Sequence, residues 1–322
     1  MNLKESFTAA SIFPVKLVVN KNAIDLFERI KPIHIQLCPT NICNLKCRFC
    51  SCSERDKTLE LSYEKIERIL NMYASLGCEA ITITGGGEPL LHPEINSIIS
   101  LLKKLNISIG LVTNGIELNR LSKNSLNSIK WIRISGSDHR EFNQEHQLKL
   151  YNIIDNTFVD WSFSYVLSSD INLENIINTI QFANVHFFTH VRLVSNLLDV
   201  DNAPDMNSLK STIRCSGIDD GLVIYQGRKE YTKGHRECLI SLLKPVIGAD
   251  GKIYPCCGAQ YAESKTPLDY SESMCMGDYS EMSLIFSQQK HFDGSNCIKC
   301  YYGEYNKYLS LFKLELLHRE FV

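Results

Sequence analysis

Hydrophobic positions in the first two thirds of the chain alternate between short β-rich runs and longer segments with helical periodicity. The short runs are rich in aliphatic and β-branched residues, which is typical of buried strands. In the longer segments apolar residues recur every three or four positions, as expected for helices that bury one face. The predicted strands are His34–Leu37, Ala80–Thr84, Ser108–Thr113, Trp131–Ser135, Trp161–Leu167 and His190–Val194. The predicted helices are Leu61–Leu76, Glu94–Leu105, 118–129, 142–156 and 173–184.

Six β-α units in succession predict an α/β fold in which helices cover a parallel sheet. Right-handed crossovers let such a sheet curl, and six units fall short of a closed eight-stranded barrel. We therefore expect residues 33–200 to form a partial (β/α)6 barrel. Ligands bind at the carboxyl ends of the strands in sheets of this kind, so a site is expected in the loops that follow the strands.

The pattern changes on either side of this segment. Residues 1–32 form an N-terminal extension, and residues 201–235 lack clear periodicity, which predicts a linker. Residues 236–303 are expected to form a small cysteine-rich α+β domain. Within it Val246–Tyr254 reads as a β-hairpin around an Asp-Gly turn. Residues 304–322 are predicted to be a closing amphipathic helix.

Composition and charge narrow the class of protein further. The chain has 322 residues, of which 44% are hydrophobic and 22% charged, so it can bury a large core and does not read as disordered. Its formal net charge is −2, so intact nucleic acid and anionic membranes are not expected partners. The sequence has no run of about 18 apolar residues and no signal-peptide pattern, so we expect a cytoplasmic protein.

Cysteine is the residue type that stands out. The chain has 13 cysteines, and in a reducing cytoplasm clustered cysteines more often bind metal or do redox chemistry than form disulfides. Cys43, Cys47 and Cys50 follow the first predicted strand in a Cys-x3-Cys-x2-Cys pattern. Three thiolates at this spacing can bind three irons of a [4Fe–4S] cluster and leave the fourth iron open. A zinc site with Cys38 or Cys52 as the fourth ligand is the alternative.

A glycine-rich turn, Gly85–Pro89, follows the second predicted strand. Its three consecutive glycines let a backbone approach a ligand without interference from Cβ atoms. The carboxylate of Glu88 can accept hydrogen bonds from an ammonium group. On its own, the segment is better explained as a strained turn before a helix.

These two motifs, at their places in a series of β-α units, resemble the radical S-adenosylmethionine (radical SAM) superfamily. The resemblance covers roughly residues 33–200 and includes an aromatic residue, Phe49, before the last cysteine of the motif. It implies that Cys43, Cys47 and Cys50 bind a [4Fe–4S] cluster. The open iron would then take the amine and carboxylate of S-adenosylmethionine.

The resemblance also implies which residues contact S-adenosylmethionine. They are Phe49 near the adenine, Gly86, Gly87 and Glu88 at the methionyl amine, Ser135 and Ser137 at the ribose, and Arg192 at the carboxylate, with Asn114 facing the same mouth. Ordinary loop polarity explains the two serines nearly as well. A surface salt bridge is the alternative for the arginine, and a turn is the alternative for the asparagine.

A second group of cysteines lies near the C-terminus and resembles the Twitch domain, the shortened form of the SPASM auxiliary-cluster domain. The pattern is a cysteine, then Gly251, a cysteine after four further residues, and a Cys-x2-Cys pair. Cys257 is spare, because adjacent cysteines do not easily bind one cubane, and Cys215 and Cys275 have no assigned role. A zinc ribbon is the alternative for the whole set. The implied ligands of one auxiliary [4Fe–4S] cluster are Cys238, Cys256, Cys297 and Cys300.

The resemblance implies an enzyme that cleaves S-adenosylmethionine to a 5′-deoxyadenosyl radical and abstracts a hydrogen atom from a substrate. Flavodoxin or ferredoxin is the expected electron donor. A small molecule is the expected substrate, either a modified nucleobase as in queuine lyases or a sugar or cyclitol, because only 32 residues precede the first strand and one auxiliary cluster is expected. Maturation of a ribosomally made peptide is the alternative. A non-enzymatic iron–sulfur or zinc protein ranks last, since it leaves Gly85–Pro89 unexplained.

Overall fold

The computed structural model describes residues 13–20, 29–137, 140, 142–154, 157–259 and 272–311. Their strands form one ten-stranded sheet in the order β10-β9-β8-β1-β2-β3-β4-β5-β6-β7. The strands are β1 His34–Leu37, β2 Ala80–Ile83, β3 Ser108–Thr113, β4 Trp131–Ser137, β5 Asp160–Leu167, β6 His190–Ser195, β7 Val223–Gln226, β8 Val246–Ile247, β9 Lys252–Tyr254 and β10 Gly277–Asp278.

The first seven strands are parallel and lie side by side in chain order. The predicted hairpin is confirmed, since β8 and β9 are antiparallel, but it joins the main sheet because β8 pairs with β1 in parallel. The terminal strands in this order are β7 and β10, which do not pair with each other, so the sheet stays open. This is the partial α/β barrel that the sequence predicts, extended at both edges.

Helices follow most of the strands and bury one face against the sheet. In α2 that face consists of Ile66, Ile69, Leu70 and Tyr73, and the hydroxyl of Ser62 caps its first turn. The α-helices are α1 Phe13–Val19, α2 Tyr63–Ser75, α3 Ile95–Lys104, α4 Lys123–Leu126, α5 Gln144–Ile154, α6 Leu173–Val185, α7 Met206–Cys215, α8 Ile240–Leu243, α9 Met282–Ser287 and α10 Gly303–Leu311.

The helix predicted over 118–129 is divided in two. A 3-10 turn covers Leu118–Arg120, and α4 begins only after Ser122. The hydroxyl of Ser122 accepts a hydrogen bond from the backbone N–H of Ser125 at 3.1 Å, which caps a new helix start. The capping residue therefore interrupts a segment whose apolar spacing is helical throughout.

The prediction of an irregular linker over 201–235 is wrong for two segments. Residues Met206–Cys215 form α7, which Asp205 caps, and residues Val223–Gln226 form β7, which pairs in parallel with β6. The sequence signal is weak because α7 buries only Leu209 and Ile213, and β7 is a short edge strand. Six predicted β-α units are thus followed by a seventh parallel strand.

The remaining boundaries differ by a few residues. Strand β4 runs two residues further than predicted and ends at Ser137. Part of the predicted C-terminal helix is observed as α10, whereas residues 312–322 lie outside the described part of the chain. Within the described residues, no helix has both the length and the apolar character needed to cross a membrane.

Candidate active site

The loop after β1 carries the first cysteine set, which is Cys43, Cys47 and Cys50. The backbone N–H of Cys50 donates to the carbonyl of Cys47 at 3.1 Å, so the last two cysteines share one turn. The thiol of Cys43 lies at the exposed surface, and the other two are partly buried. The charges of Cys43 and Cys47 act on each other, and burial raises the pKa of Cys47. The loop therefore presents its thiols at the carboxyl edge of the sheet, where the sequence predicts a site.

Either of two further cysteines, Cys38 or Cys52, could supply the fourth ligand of a zinc site. Cys38 and Cys52 are both buried, and the guanidinium of Arg55 lies beside them. Burial raises the pKa of Cys38 to about 11, although Arg55 opposes the shift. Among the described residues, no three His, Cys, Asp or Glu side chains are gathered closely enough to hold a single metal ion.

The glycine loop, Gly85–Pro89, packs directly against the start of the cysteine loop. The backbone N–H of Gly87 donates to the carbonyl of Thr40 at 3.0 Å, and that of Glu88 donates to Ile42 at 2.8 Å. A Cβ on Gly86 would overlap the Oδ1 atom of Asn41, and one on Gly87 would overlap the Ile42 carbonyl. The glycines are therefore required where the two loops meet, whatever else they contact.

Glu88 fastens the glycine loop to the end of β3. Its buried carboxylate accepts hydrogen bonds from the Leu90 N–H at 3.1 Å, the Thr113 hydroxyl at 2.7 Å and the Asn114 N–H at 2.6 Å. Burial raises the pKa of Glu88, and these three donors together with the charge of Arg140 oppose the shift. The carboxylate thus serves as a structural anchor, and its predicted contact with a methionyl amine stays a prediction.

Asn114 extends this network to the cysteine loop. Its side-chain amide donates to the Oδ1 atom of Asn44 at 2.7 Å, and its backbone carbonyl accepts from Arg140 at 2.9 Å. The loops after β1, β2 and β3 are therefore held together by direct hydrogen bonds. This contact between loops goes beyond the simple turn that was the alternative for Asn114.

Arg140 is a site residue that the sequence reasoning missed. Its guanidinium also donates to the Ser135 carbonyl at 2.9 Å and so bridges the ends of β3 and β4. Burial lowers the pKa of Arg140, whereas the nearby charges of Cys47, Glu88 and Cys43 raise it. Arg140 thus places a positive charge beside the first cysteine set. The only sequence signal was a basic residue five positions beyond Ser135, the polar end of a predicted strand.

Ser135 and Ser137 lie in the last three residues of β4, as predicted. The hydroxyl of Ser137 is buried and has no hydrogen-bond partner among the described residues. The Oδ1 atom of Asn41, beside Gly86, is in the same situation. Phe49 is half-buried within the cysteine loop. Two buried polar atoms at the mouth thus remain available to a ligand.

Arg192 points into a central cavity of about 1490 Å³ that lies inside the sheet. Its guanidinium donates to the hydroxyl of Ser164 at 2.8 and 3.2 Å. The same cavity is lined by Ser51 of the cysteine loop and by Cys257. The surface salt bridge that was the alternative for Arg192 is not found among the described residues.

The second cysteine set, which is Cys238, Cys256, Cys297 and Cys300, lines a separate small cavity of about 30 Å³. Burial raises the pKa of Cys238 to about 12, and the charges of Cys300 and Cys297 add to the shift. Backbone pairing fixes the segments, because Cys300 bonds with Thr232 and the N–H of Cys238 donates to Phe292 at 3.0 Å. The four predicted ligands therefore border one cavity, and their role as cluster ligands stays a prediction.

The three remaining cysteines beyond residue 200 do not line this small cavity. The thiol of Cys257 is 2.9 Å from the Tyr302 hydroxyl and faces the central cavity. Cys215 ends α7 and is exposed, and the thiol of Cys275 donates to the Gly277 carbonyl at 3.6 Å. Adjacent cysteines thus serve different cavities, with Cys256 at the small one and Cys257 at the large one.

The sheet is open and mostly parallel, and three cysteines lie in the loop beyond its first strand. These two features define a class of partial-barrel proteins that carry their site at the barrel mouth. Residues 37–135 match the model of the Radical SAM superfamily. The match spans the first cysteine set, the glycine loop and β4 as far as Ser135. It does not extend to the second cysteine set.

Curated relatives include two GTP 3',8-cyclases. The protein from Mannheimia succiniciproducens is 30% identical over 139 residues, which cover 40% of this chain and 40% of that protein. The protein from Aquifex aeolicus is 35% identical over 134 residues, or 39% of this chain and 40% of that protein. The chain thus spans about 40% of the length of these relatives.

Solved structures share the fold over a larger part of the chain. Streptococcus suis SuiB bound to the precursor peptide SuiA superposes with a TM-score of 0.56 at 16% identity, covering 82% of this chain and 67% of that one. Native anSMEcpe with bound AdoMet and the Kp18Cys peptide gives a TM-score of 0.55 at 14% identity, covering 88% of this chain and 84% of that one. At such low identity the likeness concerns the fold alone.

Proposed function

We propose that this chain is an enzyme that binds a [4Fe–4S] cluster through Cys43, Cys47 and Cys50 and uses it to cleave S-adenosylmethionine. The observation that carries the proposal is the contact between the cysteine loop and the glycine loop, within the segment that matches the superfamily. When bound, the cluster and S-adenosylmethionine supply one electron and a 5′-deoxyadenosyl radical, which abstracts a hydrogen atom from the substrate.

The residues at the mouth fit these groups. Three thiols leave one iron without a protein ligand, so that a cofactor can bind there. Arg140 compensates negative charge beside the thiolates. The hydroxyl of Ser137 and the Oδ1 atom of Asn41 are buried polar atoms without protein partners, which suits the ribose and amine of the cofactor. Gly86 keeps the backbone of the glycine loop close to the Oδ1 atom of Asn41.

A small molecule is the substrate class that we favour. The curated relatives are named for a reaction of GTP, which is a small molecule, and the central cavity of about 1490 Å³ has the volume for one. Within this class we keep two reactions, a lyase reaction on a modified nucleobase and the dehydrogenation of a sugar or cyclitol. Peptide maturation is the second candidate, because the two structural neighbours were solved with peptides.

The second cysteine set would bind one auxiliary [4Fe–4S] cluster in a Twitch-like domain over 236–303. The supporting observation is that its four thiols line one small cavity, although they come from separate segments. Flavodoxin or ferredoxin would deliver electrons to the first cluster, and such oxygen-sensitive chemistry suits an anaerobic cytoplasm. The remaining domain divisions, the extension over 1–32 and the helix over 304–322, also stay proposals.

The direct test is S-adenosylmethionine cleavage by the anaerobically reconstituted and reduced full chain. We expect 5′-deoxyadenosine from the wild-type protein, and none above background from Cys47→Ala. The matched control is Cys215→Ala, which removes an exposed thiol at the end of α7 and should behave as the wild type. Equal product from Cys47→Ala and the control would show that the first cysteine set has another role.

A further inference from the structure

Four basic side chains converge on the central cavity from different elements. Arg133 lies on β4, Arg192 on β6, Arg228 beyond β7 and Lys244 beyond α8, and all four line the cavity. Side chains alternate along a strand, and residues in register share a face. Arg133 is in register with Ser162 and Arg192 with Ser164, so the two arginines lie on the inner face at successive levels.

These charges have no acidic partner among the described residues. The ion pairs found there involve Lys149, Arg214 and Lys307, and all of them lie elsewhere. The Nε atoms of Arg133 and Arg228 are buried without a hydrogen-bond partner. Each guanidinium instead lies over an aromatic ring, that of Trp131 at 5.2 Å and that of Tyr301 at 5.5 Å. The arginines are therefore held in place by stacking, while donor atoms stay unused.

The carboxylates that line the cavity do not neutralise this charge. Asp205 caps α7 and accepts from the N–H and hydroxyl of Ser208 at 2.8 and 2.9 Å. Glu230 is exposed, and Glu79 lies at the opposite, amino end of β2. Seven basic side chains line the cavity against these three carboxylates, which leaves a net positive charge.

Burial and the charges of neighbouring arginines weaken the charged state of Arg133, Arg192 and Lys244. Burial lowers the pKa of Arg133 to about 10, and Arg228 adds to the shift. Burial also lowers the pKa of Arg192 and of Lys244, and the neighbouring arginines add to both shifts. Buried cations without counter-ions destabilise a fold, so an arrangement of this kind is typical of a site whose counter-ion arrives with a ligand.

We propose that Arg133, Arg192, Arg228 and Lys244 bind a multiply charged anionic group of the substrate, a phosphate ester or a polycarboxylate. Guanidinium groups match both anions because they donate two parallel hydrogen bonds to oxygens in one plane. The identity of this ligand as the substrate rests on the proposed function, whereas binding of the anion does not. The assignment gives Arg192 a substrate role in place of the predicted contact with the carboxylate of S-adenosylmethionine.

The test is isothermal titration of the reconstituted full chain with inorganic pyrophosphate and, separately, with citrate at matched ionic strength. We expect saturable binding of at least one anion, and affinity at least about tenfold lower in Arg133→Gln, because one charge-assisted hydrogen bond is lost. The matched control, Arg214→Gln, removes an exposed arginine paired with Asp220 and should bind as the wild type does. Preference for pyrophosphate would identify the anionic group as a phosphate ester, and preference for citrate would identify it as a polycarboxylate.

Thermal unfolding separates a binding role from a structural one. Without added anion, Arg133→Met should melt at a higher temperature than the wild type, because a buried charge without a counter-ion is removed. Pyrophosphate or citrate should raise the wild-type Tm by more than that of the variant, because three of the four cations remain in the variant. Absence of binding by both anions, equal binding by Arg133→Gln, or a lower Tm for Arg133→Met would overturn the proposal. Anion binding without S-adenosylmethionine cleavage would overturn only the proposed function, and cleavage without anion binding only this inference.

Discussion

The first cysteine set occupies a single loop after β1, whereas the second set comes together from separate segments around the β8–β9 hairpin. The first loop leaves its thiols partly exposed beside the charge of Arg140. The second set lines a small cavity closed by backbone pairs at Thr232 and Phe292. An open site with an available coordination position suits exchange of a cofactor, and a closed site suits a permanent ligand set. The comparison thus predicts that the two sets can be removed independently and with different consequences.

The largest effect is expected when the open set is removed. The triple variant Cys43→Ala, Cys47→Ala, Cys50→Ala should hold about four irons per chain, against about eight for the wild type, because each cubane has its own ligands. It should also form no 5′-deoxyadenosine. Iron analysis and product assay under anaerobic conditions measure both. Stoichiometric zinc in place of iron would contradict the assignment of both sets.

The adjacent cysteines of the closed set provide a matched pair. Cys256→Ala should lose about half of the iron and still cleave S-adenosylmethionine, because the open set is untouched. Cys257→Ala should keep its iron, since this thiol faces the central cavity and Tyr302. The iron content of the two variants shows which of the two adjacent cysteines is a cluster ligand. Loss of iron from Cys257→Ala alone would show that Cys257 is the ligand. Full iron content in both variants would contradict the assignment of a Twitch-like domain.

A smaller effect is expected at the anchor between the loops. Glu88→Ala leaves the donors of Leu90, Thr113 and Asn114 without their acceptor, so the free energy of unfolding should fall by roughly 3 kcal/mol. Affinity for S-adenosylmethionine should fall while iron content is kept. Urea unfolding and equilibrium binding measure these changes.

The control for Glu88→Ala is Glu94→Ala, an exposed glutamate that accepts a hydrogen bond only from the Ser97 hydroxyl among the described contacts. It should leave both quantities unchanged. If Glu88→Ala kept wild-type stability and binding, the glycine loop would not depend on this carboxylate.

The last contrast concerns the pH dependence of stability and depends on His190 in β6. Burial, with the charges of Arg133 and Arg192, lowers the pKa of His190 from 6.5 to about 3. Between these values the unfolded chain binds the extra proton and the folded chain does not. The free energy of unfolding should therefore decrease as the pH falls below 6.5 and be fully reduced only near about 3.

His190→Asn should flatten this part of the profile of urea midpoint against pH. His34, whose pKa burial also lowers, should keep part of the slope. Replacement of the exposed His146 by Asn is the control and should leave the profile as it is. A slope unchanged in His190→Asn would assign the acid sensitivity to other groups.

The pattern of residues close together in the sequence was enough to predict the strands β1 to β6 and the first cysteine motif. Each depends on residues close in sequence, because strand patterning has a period of two and the motif spans eight residues of one loop, Cys43–Cys50. The prediction of radical SAM membership followed from the same short segments. The role of each cofactor-contacting residue stays a prediction.

Only the tertiary structure decided which distant residues meet. Strand β7 is formed by pairing along the edge of β6, a contact that its own four residues do not signal. Arg133, Arg192 and Arg228 are far apart in the sequence, and each alone reads as an ordinary basic residue. Arg133 and Arg192 share the cavity because the register of β4, β5 and β6 places them on the same inner face, and Arg228 reaches it from the segment after β7. The pattern of residues along a chain reports local periodicity. A binding site depends on the register between strands, which that pattern does not specify.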